Sequence, residues 1–252
     1  MNKIGVVGAL GRTGRHVVEA LAASSTSELQ EALVSPGSPM VGSCVAESEV
    51  VYSSDLACLE RCDGVIDFSS PANTAKVARE CASLRKPLLV ATTGLEEDEL
   101  KEIRECAKFA PVCVAPNTSL GATALAMAAR YLQKVLGDSF DIEVMEIHHR
   151  MKKDAPSGTA RAVVSNLTGG GASVVFGREG LRAAGEIGVV SLRGGDVPGD
   201  HTVYFLGEGE RLEIAHRSQT RAIFGKGAVV LMEKLLSRGP GLYTVEQLLV
   251  GE

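Results

Sequence analysis

The chain has no tryptophan, and aromatic residues make up only 4% of its 252 positions. Proteins that grip single-stranded nucleic acid stack bases on aromatic rings, so that class has little to build on here. A basic excess is also missing: 26 Lys and Arg stand against 31 Asp and Glu, giving a net charge of −5 and a pI near 5.6. A general nucleic-acid or anionic-membrane binder needs a basic face, so neither partner is expected. No apolar run approaches the ~20 residues of a membrane span. Met1-Asn2-Lys3-Ile4-Gly5-Val6-Val7 runs straight into a strand-like segment without a signal-peptide pattern. The six cysteines all lie between Cys44 and Cys113, and none forms a CxxC or Cys/His metal pattern. They read as reduced, buried thiols of a cytoplasmic protein that holds no metal.

What is present is ordinary globular material, 45% apolar and 23% charged. The first half alternates short apolar strands with helical stretches. Strands are expected at Ile4–Val7, Leu29–Val34, Gly64–Phe68, Pro87–Ala91 and Val112–Ala115, and helices at Arg12–Ala23, Ala72–Leu84 and Glu96–Phe109. The strands are apolar on both parities, as when helices cover both faces of a parallel sheet. Successive βα units of this kind imply a Rossmann-like, doubly wound α/β fold. From about Ser119 the rhythm changes. A helix (Gly121–Val135) leads to a long alternating strand (Asp141–His149), then a helix after Pro156-Ser157-Gly158. Strands follow at Gly188–Leu192, His201–Leu206 and Arg211–Ala215. That pattern predicts a second α+β domain with an open mixed sheet. Gly169-Gly170-Gly171 reads as a loop, and the helix near Ala222–Leu236 as a return to the first domain. The expected division is 1–118 with 222–252 for dinucleotide binding, and 119–221 for substrate binding and oligomerisation.

Gly8-Ala9-Leu10-Gly11-Arg12-Thr13-Gly14 sits directly after the first strand and opens the first helix. Glycines there tighten the turn and let backbone N–H groups approach a pyrophosphate. The spacing is GxxGxxG rather than GxGxxG, so position carries more weight than the match, and a tight turn without ligand is the alternative. The second strand ends Glu31-Ala32-Leu33-Val34-Ser35, with no carboxylate where an NAD-type ribose partner is expected. Arg12 could meet a 2′-phosphate. The reading leans to NADPH and leaves NADH open.

The densest chemistry lies in Glu146-Ile147-His148-His149-Arg150-Met151-Lys152-Lys153-Asp154-Ala155-Pro156-Ser157-Gly158-Thr159-Ala160. Ser157-Gly158-Thr159 resembles a helix start, whose free N–H groups and hydroxyls suit a substrate carboxylate. Lys152 brings a point charge for a second carboxylate, or a proton. The histidines can act as acid or donor near neutral pH. Adjacent His148 and His149 reach one site only if the strand ends there. The alternative is two strand histidines satisfied locally, two solvated lysines and a plain cap.

That run closely resembles the E-x-H-H-x-x-K-x-D-A-P-S-G-T-A signature of the 4-hydroxy-tetrahydrodipicolinate (dihydrodipicolinate) reductase family. The resemblance covers nearly the whole chain, including Val65-Ile66-Asp67-Phe68-Ser69, Ala91-Thr92-Thr93-Gly94, Ala115-Pro116-Asn117-Thr118-Ser119, Gly194-Gly195-Asp196 and Gly199-Asp200-His201-Thr202. It implies reduction of 4-hydroxy-tetrahydrodipicolinate, a small dicarboxylate, by NADPH or NADH in the diaminopimelate route to lysine. By the same resemblance His148 and Lys152 are catalytic, and His149, Ser157, Gly158 and Thr159 bind substrate. Gly8, Ala9, Leu10, Gly11, Arg12, Thr13, Ala91, Thr92, Thr93, Ala115, Pro116, Asn117 and Thr118 contact the cofactor, and the assembly is a homotetramer. Departures are Val34-Ser35 for an acidic–basic pair, Ala91 for Gly, Thr118 for an aromatic and Met151 for His. Two other readings stay open. One is another two-domain dehydrogenase of a small substrate, such as an aspartate- or homoserine-dehydrogenase-like reductase. The other is an NAD(H)-sensing regulator without turnover.

Overall fold

The protein is described by a computed structural model that covers residues 1–46, 48–168 and 173–251. The glycine triplet 169–171 lies outside the described residues. In chain order the elements are β1 (Asn2–Val7), α1 (Gly14–Ala22), β2 (Ser27–Leu33), β3 (Tyr52–Ser53), β4 (Gly64–Asp67), α2 (Pro71–Leu84), β5 (Leu88–Val90), α3 (Glu97–Cys106) and β6 (Pro111–Val114). Then come α4 (Leu120–Leu136), β7 (Asp141–His148), α5 (Gly158–Thr168), β8 (Val174–Phe176), β9 (Ile187–Arg193), β10 (Gly199–Gly207) and β11 (Glu210–Ser218). The chain closes with α6 (Ala222–Leu235), β12 (Gly241–Tyr243) and α7 (Val245–Val250). It divides into two compact units, Met1–Ser119 with Ala222–Glu252, and Leu120–Arg221.

In the first unit a seven-stranded sheet runs β12-β6-β5-β4-β1-β2-β3, with every pairing parallel. Successive residues of β4 and β5 are all buried, because helices cover both faces. On one side Val65, Val77, Leu88, Ile103 and Val112 form a shared apolar core. Strand order reverses between β1 and β4, and α/β sheets open a ligand crevice at the carboxyl ends of such strands. Polarity along α3 suits its direction. Glu96 and Glu99 form a capping box, and Glu97, Asp98 and Glu99 put negative charge on the first turn.

The second unit has a five-stranded sheet, β11-β10-β7-β9-β8. Its β10–β11 and β7–β10 pairs are antiparallel, and its β7–β9 and β8–β9 pairs parallel, so the sheet is mixed and open. Helices α4 and α5 pack Leu125, Ala129, Val163 and Leu167 onto Val144, Val189 and Phe205. Burying a side chain the size of Phe205 contributes ~2–3 kcal/mol. Along β7 the buried positions alternate strictly as Ile142, Val144, Glu146 and His148. The core-facing stripe is thus apolar at the strand's start and ionisable at its end.

The four elements that sequence periodicity does not reveal are β3, β8, β12 and α7. Each is a strand of two or three residues or a helix of six, too short for a repeating pattern to register. Not every thiol is buried: Cys44 is exposed and Cys58 half-buried, while Cys62, Cys81, Cys106 and Cys113 are enclosed. Burial pushes the thiols of Cys62, Cys106 and Cys113 up to about 12.

Candidate active site

The turn after β1 is built on close backbone approach. Gly8 has φ +80°, and a Cβ on it would lie 2.5 Å from the Phe68 carbonyl oxygen. A Cβ on Gly14 would overlap the Gly8 carbonyl. Only glycine lets the turn fold this tightly onto the end of β4. Two cavities open beside it. The first, about 590 Å³, is lined by Gly8, Leu10 and Gly11, by Val34, Ser35 and Ser38 past the end of β2, and by Asn73 and Lys76 of α2. The second, about 390 Å³, is lined by Gly11, Arg12, Thr13, Ala91, Thr92, Thr93, Pro116 and Thr118, with Phe68, Ser69 and Phe224. Arg12 therefore stands in the second cavity, and the cation lining the cavity at the end of β2 is Lys76. Ala9 and Ala115 are buried, and Asn117 accepts the Ser119 N–H through its side-chain carbonyl at 2.8 Å. None of these three lines either cavity. Glu31 lies within β2 and pairs with Arg61 at 2.7 Å, so it is committed elsewhere.

Asp67 ends β4 beneath the second cavity. Its carboxylate accepts from the Ser69 N–H at 3.0 Å and from the hydroxyls of Thr74 and Thr92. Burial raises its pKa and these hydrogen bonds oppose the rise. The side chain ties together the ends of β4 and β5 and the first turn of α2, which carry Ser69 and Thr92 into the cavity wall.

In the second unit β7 stops at His148, and the chain turns at once. The His149 N–H bonds the Val197 carbonyl at 2.8 Å, and the Arg150 N–H bonds Gly195 at 3.2 Å. Lys152 follows, its ammonium 2.8 Å from Asp154. Ser157 caps α5 as its sequence context predicts, its Oγ accepting the Ala160 N–H at 3.1 Å. Gly158 is exposed and has open space where a side chain would stand. His148 and Ser157 are buried, whereas His149, Lys152 and Thr159 are half-buried.

Three residues absent from the sequence-based site complete this constellation. Strand register brings them in. Within β7, Glu146 lies two positions before His148 and shares its face. The β7–β9 pairing sets Arg193 beside His148, and the β7–β10 pairing sets His201 beside Glu146. Glu146 is fully buried and pairs its Oε2 with His148 Nδ1. Its Oε1 accepts from Arg193 Nη2 at 2.8 Å and from the Ser157 N–H at 3.2 Å. His201 Nε2 lies 3.0 Å from Ser157 Oγ, and the two imidazoles meet edge to face with centroids 5.2 Å apart. Burial lowers His148, with Lys152 and Arg193 acting in the same direction and Glu146 against it. Burial pulls His201 down to about 4, helped by the nearby His148. For Glu146 burial pushes upward, but bonds from Ser191 and Arg193 and the charge of His148 hold it below the usual carboxylate range. His201 Nδ1 is buried without a hydrogen-bond partner among the described residues. A buried bare acceptor costs less than a buried orphan N–H, so the favoured tautomer donates from Nε2 to Ser157 Oγ. With Ala160 also donating to that oxygen, Ser157 Oγ then acts as acceptor in both of these bonds.

Glu146, His148 and His201 could also bring three ligand atoms to within 4.8 Å of one another. Two observations disfavour a cation there: Arg193 already neutralises Glu146, and Glu146 Oε2 closes directly on His148 Nδ1.

Comparison with known proteins assigns the family. The profile described as "Dihydrodipicolinate reductase, N-terminus" matches residues 2–118, and that described as "Dihydrodipicolinate reductase, C-terminus" matches residues 120–249. The chain belongs to the dihydrodipicolinate reductase family. A 4-hydroxy-tetrahydrodipicolinate reductase of Geotalea daltonii is 39% identical over 99% of both chains. That of Akkermansia muciniphila is 46% identical over 88% of this chain and 92% of the relative. Among solved structures, the dipicolinate-bound dihydrodipicolinate reductase from Paenisporosarcina sp. TG-14 superposes with a TM-score of 0.82 at 22% identity, covering 99% of each chain. A probable dehydrogenase from Thermotoga maritima shares the fold at a TM-score of 0.64 and 13% identity. Dihydrodipicolinate reductases thus supply the frame for the chain's two-domain fold, a parallel Rossmann-like sheet and a mixed open sheet. A signal for the missed residues was present: Glu146 shares the period-2 face of His148, and His201 stands in the Gly199-Asp200-His201-Thr202 run.

Proposed function

We propose that the protein reduces 4-hydroxy-tetrahydrodipicolinate to tetrahydrodipicolinate with a nicotinamide cofactor, as in the diaminopimelate route to lysine. The observation that carries this reading is the buried constellation of His148, Glu146, Arg193 and Ser157 at the start of α5, in a chain of this family. One carboxylate of the substrate is held by the Ser157 hydroxyl and by the helix start at Gly158 and Thr159. The other is met by Lys152 and His149. An acidic protein can hold a dianion this way because local charge, not net charge, decides.

The turn at Gly8–Thr13 and the walls formed by Ala91–Thr93, Pro116 and Thr118 hold the dinucleotide, the turn standing where a first strand hands over to its helix and a pyrophosphate is met. The bound nicotinamide supplies the hydride. Loss of the 4-hydroxyl as water turns the substrate into a conjugated imine; hydride addition at the carbon that carried the hydroxyl then leaves an enamine, and a proton at the adjacent carbon completes the reduction. His148, Lys152 or water they organise delivers it.

The cavity at the end of β2 is lined by Ser35, Ser38 and Lys76, and among its described residues by no carboxylate. Nothing there repels a 2′-phosphate, so NADPH is favoured and NADH is accepted. Assembly is a homotetramer built on the uncovered face of the mixed sheet, where Val190, Leu192 and Leu206 are exposed. A cytoplasmic location is supported by six free thiols.

The test couples the folded protein to a synthase acting on pyruvate and aspartate semialdehyde, and follows NADPH and NADH oxidation at matched concentrations. Turnover is expected with both. None with either overturns the reading. His148→Gln and Lys152→Ala are expected to lower kcat by ~100-fold or more while dinucleotide affinity stays unchanged. Near-normal rates in both would reject these roles.

A further inference from the structure

We propose that Glu146 is the positioning residue for the proton donor of this site: its carboxylate sets the tautomer and charge of His148 and ties that imidazole to the substrate-binding end of α5. This deepens the reading above and rests on the acid role given to His148.

An ionised carboxylate this deeply buried survives only if its oxygens are paired. Those of Glu146 are: Arg193 Nη2 and the Ser157 N–H reach Oε1, and His148 Nδ1 reaches Oε2. A carboxylate set against Nδ1 favours the proton on that nitrogen and leaves Nε2 as the one that exchanges. Gly199 faces Nε2, and a Cβ there would come within 2.9 Å of it, so a side chain at this position would press on the exchanging nitrogen.

Charge gives the same answer. The groups facing His148 are Lys152 from the following turn, Arg193 from β9, His201 from β10 and Glu146 from its own strand. The first two are cations and the third is an uncharged ring, so Glu146 is the group that makes an imidazolium affordable. A carboxylate behind an imidazole orients it and stabilises its charged form. Because the same carboxylate accepts the Ser157 N–H, the donor and one arm of the anion clamp hang on a single side chain.

The pH dependence of kcat/KM distinguishes positioning from mere packing. An acid must be protonated to act, so activity falls as pH rises through the His148 pKa. Glu146→Gln removes an anion and is expected to move that basic limb to lower pH, with kcat down by ~10-fold or more. Arg193→Met removes a cation and is expected to move the limb the other way. Glu146→Asp, which keeps the charge, is expected to restore a limb near the wild-type position. Cofactor KM is expected to stay constant throughout. A folded Glu146→Gln variant with an unshifted limb, alongside an impaired His148→Gln, overturns the proposal and leaves the acid role standing. Normal turnover by His148→Gln overturns both. Should Glu146→Gln fail to fold, the wild-type protein still decides: the nitrogen chemical shifts of neutral His148 are expected to show Nδ1 protonated and Nε2 bare, and the opposite tautomer refutes the positioning role.

Discussion

His201 stays uncharged in the folded protein because burial and the neighbouring His148 pull its pKa down to about 4. The unfolded chain returns it to about 6.5. Between those values the unfolded state binds a proton that the folded state refuses, so stability is lost as pH falls from about 6.5 towards 4. The loss attributable to this one side chain reaches ~3 kcal/mol at the acid end. His201→Asn is expected to flatten the difference between urea midpoints measured at pH 7 and pH 5, and an unchanged difference would show that His201 is not the responsible group. A second residue-scale expectation concerns Lys76, the cation in the cavity beyond β2. Lys76→Ala should lower kcat/KM for NADPH by ~10-fold, the scale of one charge-assisted contact, with little change for NADH. Parallel losses with both nucleotides would remove Lys76 from cofactor selection.

Elements that carry a long repeating pattern were legible before any coordinates. Strand β7 is the clearest case: Ile142, Val144, Glu146 and His148 alternate with outward residues, and the strand ends where two histidines need to diverge. The doubly wound sheet was equally readable, because helical spacing recurs between strands that are apolar on both faces. What stayed hidden was pairing. Nothing in one strand's sequence tells which neighbour it meets, so Arg193 and His201 could not be placed beside His148 and Glu146 until β7 was seen between β9 and β10. The same holds for Arg12, whose position in the glycine turn suggested the ribose end and whose place is the cavity bordered by Thr92 and Thr93. Helix crossings are a further case. Helix α6 packs on α1 so closely that a Cβ on Gly225 would overlap the His16 carbonyl. Gly225→Ala is expected to cost ~2–3 kcal/mol and lower the melting temperature by roughly 5–10 °C, whereas Gly37→Ala, with open space around it, should change little. Equal melting temperatures for the two would mean that the crossing relaxes freely.

For the molecule as a whole, the uncovered face of the mixed sheet and the split first unit matter most. Met145, Ile147, Val190, Leu192, Tyr204 and Leu206 share the sheet face opposite Val144, Val189 and Phe205, and three of them are substantially exposed. Leu192→Lys should shift sedimentation towards smaller species if that face joins subunits, and an unaltered assembly would place the interface elsewhere. The split has a different outcome. Helix α6 belongs to the unit that begins at Met1, yet the ribosome makes it after the whole of 120–221. Until then α1 and the β4–β5 surface have no cover, since Met232 packs over Gly64 and Leu231 and Leu235 are also fully enclosed. A nascent chain therefore finishes its second-coded unit while its first is still waiting for its last wall. Truncation before α6 should leave the nucleotide half sticky and the other half intact, a vulnerability fixed by gene order and not by the strength of any bond.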